Sequence, residues 1–202
     1  MKSTMQINQE RTEQILLSLD RLQFLSRSQI QRLHSLKSDR NAQRVLKNMS
    51  KYLSVIRLKE NVYYLNKAGR EMIDSNKAVS RNMQIEHILM RNDLFLYMGC
   101  PKMWQPEREV VVNKVSYIRP DVLFELGQLH FAEIDRVQKM SVNKAKIERY
   151  AKLKDTKVFQ NAHKYFPKLI WLTKTKSRKE KLVQLCREKG LPHTVYLWSD
   201  IL

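Results

Sequence analysis

Three carboxylates, Asp121, Glu133 and Asp135, recur in a stretch that otherwise reads as buried strand. Asp121 follows Arg119-Pro120 and precedes Val122-Leu123-Phe124, while Glu133 and Asp135 close the run Leu129-His130-Phe131-Ala132. Acids at the ends of strands covered on both faces are costly unless something pairs with them. A divalent metal, a basic side chain or a bound backbone phosphate would each serve, and all three belong to proteins that handle nucleic acid.

Whether these acids can meet depends on strand register. A two-residue turn at Gly127-Gln128 puts Asp121 on the opposite face of the sheet from Glu133 and makes no site. A three-residue loop around Gly127, or a bulge near Pro120, shifts the pairing by one residue. Asp121 then stands opposite Glu133, and Leu123 opposite Phe131. This second register is the expectation.

A second group of residues suggests binding rather than catalysis. From Ser38-Asp39, which can cap a helix, Ala42, Val45, Leu46, Met49 and Leu53 fall at helical spacing and form one apolar stripe. Arg40, Gln43, Arg44, Lys47 and Lys51 fall on the other side, each within roughly 60° of the direction of Arg40. Val55 to Lys59, the turn residues Glu60-Asn61 and Val62 to Leu65 then read as a hairpin with Arg57 and Lys59 near its tip. Two short helices precede this unit. Thr12 to Leu22 carries Ile15, Leu16, Leu19 and Leu22, and a helix opened by Ser26 or Ser28 carries Ile30, Leu33 and His34.

Helix, helix, basic helix and hairpin is the winged-helix order. On this reading the helix from Arg40 to Lys51 enters the major groove, where Arg44 and Gln43 face base edges, while Lys47, Lys51, Arg57 and Lys59 meet phosphates. A merely solvated charged face, or pairing with another protein, is the alternative. A further helix from Asn66 to Ile73 packs back through Ala68, Met72 and Ile73, and the polar run Asp74 to Ser80 is read as a linker.

The composition agrees with a polyanionic partner. Thirty-eight Lys and Arg against twenty Asp and Glu give a net charge of +18 over 202 residues, and both halves of the chain share the excess. With 43% hydrophobic residues there is material for a core. No long apolar run, leader-like segment or acylation motif argues for a membrane, so an intracellular, cytoplasmic protein is expected. Cys100 and Cys186 lack zinc-ligand spacing, and no GxGxxG or P-loop motif occurs.

The second half reads as an α/β domain from residue 80 to 202, following a winged-helix domain over residues 1 to 76. A helix from Ser80 to Tyr97 with Met83, Ile85, Ile88, Leu89, Leu94, Phe95 and Met98 opens it. Arg108 to Asn113 reads as the first strand, followed by the two acid-bearing strands. A helix from Ser141 to Leu153 shows Val142, Ala145, Ile147, Tyr150 and Ala151 on its apolar face and Lys144 and Lys146 among its basic residues. A strand at 169–173, a helix at 177–189 and a last strand at 194–198 complete an α+β chain.

Pro120 with Asp121, Glu133 and Asp135 resembles the signature of the PD-(D/E)XK nuclease-like superfamily. Trp104, Glu107, Arg119-Pro120-Asp121 and Ala132 to Arg136 are similar, more narrowly, to the bacterial replication-relaxation family, and with the N-terminal half this resemblance covers most of the chain. It implies a role in plasmid or mobile-element replication, relaxation or transfer, with duplex DNA, a second copy of the chain, and replication or transfer proteins as partners. In the nuclease pattern a lysine stands two residues after the second acid, where this chain has Asp135. Lys144 or Lys146 could replace it, and Glu86 and Glu107 are further acids that could join such a site. Mg²⁺ or Mn²⁺ is the implied cofactor if the site cleaves. The readings kept open are a DNA-binding protein with a degenerate nuclease-like domain, a metal-dependent endonuclease or nickase, and a transcriptional repressor.

Overall fold

The computed structural model describes residues 3–80 and 84–202, which form two compact units, Met1–Leu96 and Tyr97–Leu202. The chain is mixed α/β, as expected.

In the first unit, helix α1 (Thr4–Leu22) begins well before Thr12, because Ser3 and Gln6 form a capping box. Ile15, Leu16, Leu19 and Leu22 are its buried face. A short strand that sequence patterning does not reveal, β1 (Leu25–Ser26), leads into α2 (Arg27–Leu33), capped by Ser26 through a second capping box with Gln29. Helix α3 (Asp39–Asn48) is capped by the Ser38 side chain, which accepts from the Asn41 N–H. Strands β2 (Leu53–Arg57) and β3 (Asn61–Leu65) form the hairpin, and β1 pairs with β3, giving the antiparallel order β1-β3-β2.

Helix α4 (Lys67–Met72) packs differently from expectation, since Ala68 and Met72 are exposed and Gly69 is buried. A Cβ on Gly69 would lie 2.2 Å from the Tyr52 carbonyl oxygen, so this approach of helix to backbone requires glycine.

Helix α5 (Ile85–Tyr97) was expected to open the second domain, yet it packs within the first unit. Asn92 donates to the carbonyls of Leu22 and Phe24 at 3.1 and 2.7 Å, satisfying acceptors where α1 has ended. Gln29 donates to the Leu89 carbonyl and to Asp93, which also pairs with Arg32. Ile88 joins Phe24, Val62 and Tyr64 in one buried cluster. Met83, expected in this helix, lies outside the described residues.

In the second unit the first strand of the main sheet is β4 (Trp104–Pro106), not residues 108–113. The valine run instead forms β5 (Val110–Val112), folded against β6 (Val115–Ile118) as a separate hairpin. Its turn residues Asn113 and Lys114 both have positive φ, the twist a two-residue hairpin turn needs, and Val111 and Val115 are left exposed. Strands β7 (Val122–Leu126) and β8 (Gln128–Asp135) follow, then α6 (Met140–Asp155), α7 (Val158–His163), β9 (Lys168–Thr173), α8 (Lys176–Glu188) and β10 (His193–Leu197). The sheet order is β10-β9-β8-β7-β4, antiparallel from β4 to β8 and parallel from β8 to β10.

Pairing of β7 with β8 sets Leu123 opposite Phe131 around Gly127, the expected register that brings Asp121 opposite Glu133. Gly127 has φ +69°, which a single glycine supplies without strain. Phe131, Ile147, Tyr150, Leu153, Trp171 and Leu182 form the core against this sheet.

Candidate nucleic-acid interface and acidic strand site

In the first unit, the buried side of α3 is Ala42 and Leu46, continued by Met49 just past its end. Arg40, Gln43, Arg44 and Lys47 are exposed on the opposite side. Lys51 is exposed as well, but it lies beyond the helix in the turn before β2, with its ammonium 4.5 Å from the centre of the Tyr52 ring. The helix therefore ends one turn earlier than the apolar stripe suggests, because Leu53 already belongs to a strand.

Asp39, the acid at the start of α3, pairs with Arg27 at 2.8 Å. Its pKa is held below the ordinary carboxylate range by that hydrogen bond. Arg44 donates to Asn41 at 2.9 Å, which steadies the guanidinium on the exposed face. Arg44 and Lys51 line one shallow groove together with Arg11, Asn8 and Asn48. At the hairpin, Arg57, Leu58 and Lys59 are exposed, and Glu60 holds the turn by accepting from the Ser28 N–H at 3.0 Å and the Ser28 hydroxyl at 2.7 Å.

In the second unit, the register places Asp121 across from Glu133, and Lys146 of α6 lies against both. Its ammonium is 2.5 Å from Glu133 Oε2 and 3.8 Å from Asp121 Oδ1. The other Glu133 oxygen accepts from the Tyr150 hydroxyl at 2.7 Å, and Asp121 Oδ2 accepts from the Ile134 N–H at 2.6 Å. Asp135 is tied elsewhere. It accepts from Asn143 at 2.9 Å, Thr173 at 2.8 Å, and Arg178 of α8 twice at 2.6 Å.

Helix geometry explains the match. Asn143, Lys146 and Tyr150 share one side of α6 at i, i+3 and i+7, and meet Asp135 and Glu133, which share one side of β8 at i and i+2. The inner face of α6 is thus Asn143, Ile147, Tyr150 and Leu153, whereas Val142 and Ala145, expected to be apolar contacts, are exposed. The periodicity misled because a polar Asn is buried here and a Val is not.

The electrostatics follow from burial. Desolvation, then the Asp121 carboxylate, push the Glu133 pKa up to about 8, against the pull of Lys146 and Tyr150. Burial alone would lower the Lys146 pKa, but Glu133 and Asp121 together hold it above the usual lysine value, so Lys146 stays charged. Burial would likewise raise Asp135, yet the hydrogen bonds from Arg178, Asn143 and Thr173 together leave it below the ordinary range.

These residues do not fit a divalent ion. An ion such as Mg²⁺ needs carboxylate oxygens free to approach to about 2.0–2.1 Å, and here the acids are occupied by an ammonium, a hydroxyl, a guanidinium and main-chain N–H. Among the described residues no group of three or more His, Cys, Asp or Glu is arranged to hold a metal. Glu107 is exposed at the end of β4, where its N–H donates to the Asp121 carbonyl at 3.2 Å, and Glu86 is exposed on α5 in the first unit. Lys144 is exposed on α6 and lines a small groove with Lys181 of α8, away from the acids that Lys146 meets.

Sequence reasoning did not single out Tyr150 as polar, nor Arg178 at all. Tyr150 was signalled only by its hydroxyl on a buried face, and Arg178 only by its place just after a strand parallel to β8. Among the described residues no helix is long and apolar enough to cross a membrane. The replication-relaxation family matches residues 16–169, well over half of the chain. No curated protein and no solved structure matches it.

Proposed function

The chain belongs to the replication-relaxation family, and on that premise we propose that it is a double-stranded-DNA-binding protein of plasmid or mobile-element type acting in replication, relaxation or transfer. The first unit is a winged helix that reads the duplex, and the second is a degenerate PD-(D/E)XK-like fold that supports binding or assembly. The observation that carries this reading is the division of α3, with Ala42 and Leu46 buried on one side and Arg40, Gln43, Arg44 and Lys47 exposed on the other. Its acid, Asp39, is offset by Arg27 and does not oppose the phosphates.

In the bound state α3 enters the major groove, where Arg44 and Gln43 reach base edges and Arg40 and Lys47 meet the flanking phosphates. Lys51, Arg57 and Lys59 lie in the turn and hairpin that follow and bind the backbone. In the second unit, the mixed sheet with Asp121 and Glu133 facing each other across β7 and β8 supports a nuclease-like ancestry. The engagement of all three acids by side chains or main chain favours binding over cleavage.

The test is fluorescence anisotropy with labelled duplex DNA, comparing wild type with the triple variant Arg40→Ala, Arg44→Ala, Lys47→Ala. At about 50 mM salt wild type should bind, with an affinity that falls steeply as salt rises, and the folded triple variant should lose at least about tenfold. A wild-type protein that leaves the duplex free, or a triple variant that binds as well, would overturn the reading. Supercoiled DNA incubated with Mg²⁺ or Mn²⁺ should stay intact. Cleavage lost on Asp121→Ala would install the endonuclease reading instead.

A further inference from the structure

The facing pair Asp121 and Glu133 is the place that a nuclease-like fold would give to a divalent ion, yet the donors there are already engaged. We propose that the Lys146 ammonium is the resident cation of this site, standing where a divalent metal would otherwise bridge the two acids and tying α6 to strands β7 and β8.

Lys146 reaches the acids from the flank of α6 with its side chain only 20% exposed, and Glu133 is 1% exposed, so water supplies little of the screening a buried carboxylate needs. The ammonium lies within hydrogen-bond reach of Glu133 and close to Asp121, on the side where both acids present an oxygen. A metal bridging those oxygens would sit against the ammonium, like charge on like charge in a poorly screened setting. Tyr150 fills the remaining Glu133 oxygen, and Asp135 cannot turn in as a third ligand while Arg178 grips it through both oxygens. The lysine missing two residues after Glu133 has thus not left the site without a cation. It is supplied by the next helix, and from a position that displaces the metal.

This inference concerns the second unit in the absence of DNA, so its outcome is separable from that of the DNA-binding reading. The test uses Mn²⁺ alone, followed by the electron paramagnetic resonance signal of the free ion and by thermal melting of the full chain. Wild type and Lys146→Arg should leave the free Mn²⁺ signal at its buffer level, and their melting temperature should not respond to Mn²⁺ or to chelator. Lys146→Ala should remove about one Mn²⁺ per chain and gain melting temperature with Mn²⁺, since two carboxylates and water suffice for such an ion. The double variant Lys146→Ala, Glu133→Gln should do neither. If Lys146→Ala unfolds without metal, Mn²⁺ should restore its circular dichroism. Wild-type Mn²⁺ uptake that Glu133→Gln abolishes would overturn the proposal. So would a Lys146→Ala chain that neither binds Mn²⁺ nor is stabilised or refolded by it.

Discussion

Arg178 grips Asp135 through both carboxylate oxygens, Nε to Oδ2 and Nη2 to Oδ1, each at 2.6 Å, and its Nη2 also donates to the Gln138 carbonyl at 2.5 Å. A residue at the start of α8 thereby fixes the end of β8 and the turn that leads into α6. Asp135 is fully buried, so removing the guanidinium strands a carboxylate without its main partner. Arg178→Ala should destabilise the chain by about 3 kcal/mol in urea unfolding. Arg178→Lys should recover only part of that loss, because an ammonium cannot reproduce the planar fork.

The same pair contributes to the acid limb of stability. The folded-state pKa of Asp135 lies below its unfolded value, so its contribution is fully present above the unfolded pKa and is lost as pH falls through the folded one. Stability measured by urea unfolding should therefore fall from about pH 4 downward. In Asp135→Asn that limb should be shallower, at the cost of a lower plateau at neutral pH.

Glu133 acts in the opposite sense. Its pKa is raised to about 8 in the folded chain, so its contribution is fully present below the unfolded carboxylate value and is lost as pH rises toward 8. Between about pH 4.5 and pH 8 wild-type stability should carry a downward slope from this group, which Glu133→Gln should remove. A Glu133→Gln profile with the wild-type slope would show that Glu133 is already ionised across that window.

Arg44 and Lys51 should separate base reading from phosphate binding. Arg44 lies on α3, whereas Lys51 lies in the turn beyond it. Arg44→Ala should narrow the difference in affinity between preferred and unrelated duplexes. Lys51→Ala should weaken all duplexes alike and reduce the salt slope by about one. Titrations by anisotropy at several salt concentrations measure both quantities, and equal small effects would count against groove recognition by this helix.

Local patterns carry their meaning over short distances, and those parts of the fold were legible. The stripe Ala42, Val45, Leu46, Met49 with Ser38 before it determined α3 and its basic outer side, because capping and helical periodicity act within a few residues. The same holds for the hairpin after it, and for Gly127, whose tolerance of positive φ permitted the register that aligns Asp121 with Glu133. What tertiary structure decided lies between residues distant in sequence. Pairing of β1 with β3, the docking of α5 through Asn92 onto Leu22 and Phe24, and the choice of Trp104–Pro106 over the valine run as first strand all depend on which partner surface is available. The identity of the cation beside Glu133 and Asp121 is the clearest case. The sequence made the need for one evident, since buried carboxylates must be paired, and offered Lys144 and Lys146 alike. Only the rotation of α6 about its own axis, fixed by burying Ile147, Tyr150 and Leu153, turned Lys146 inward and left Lys144 in water.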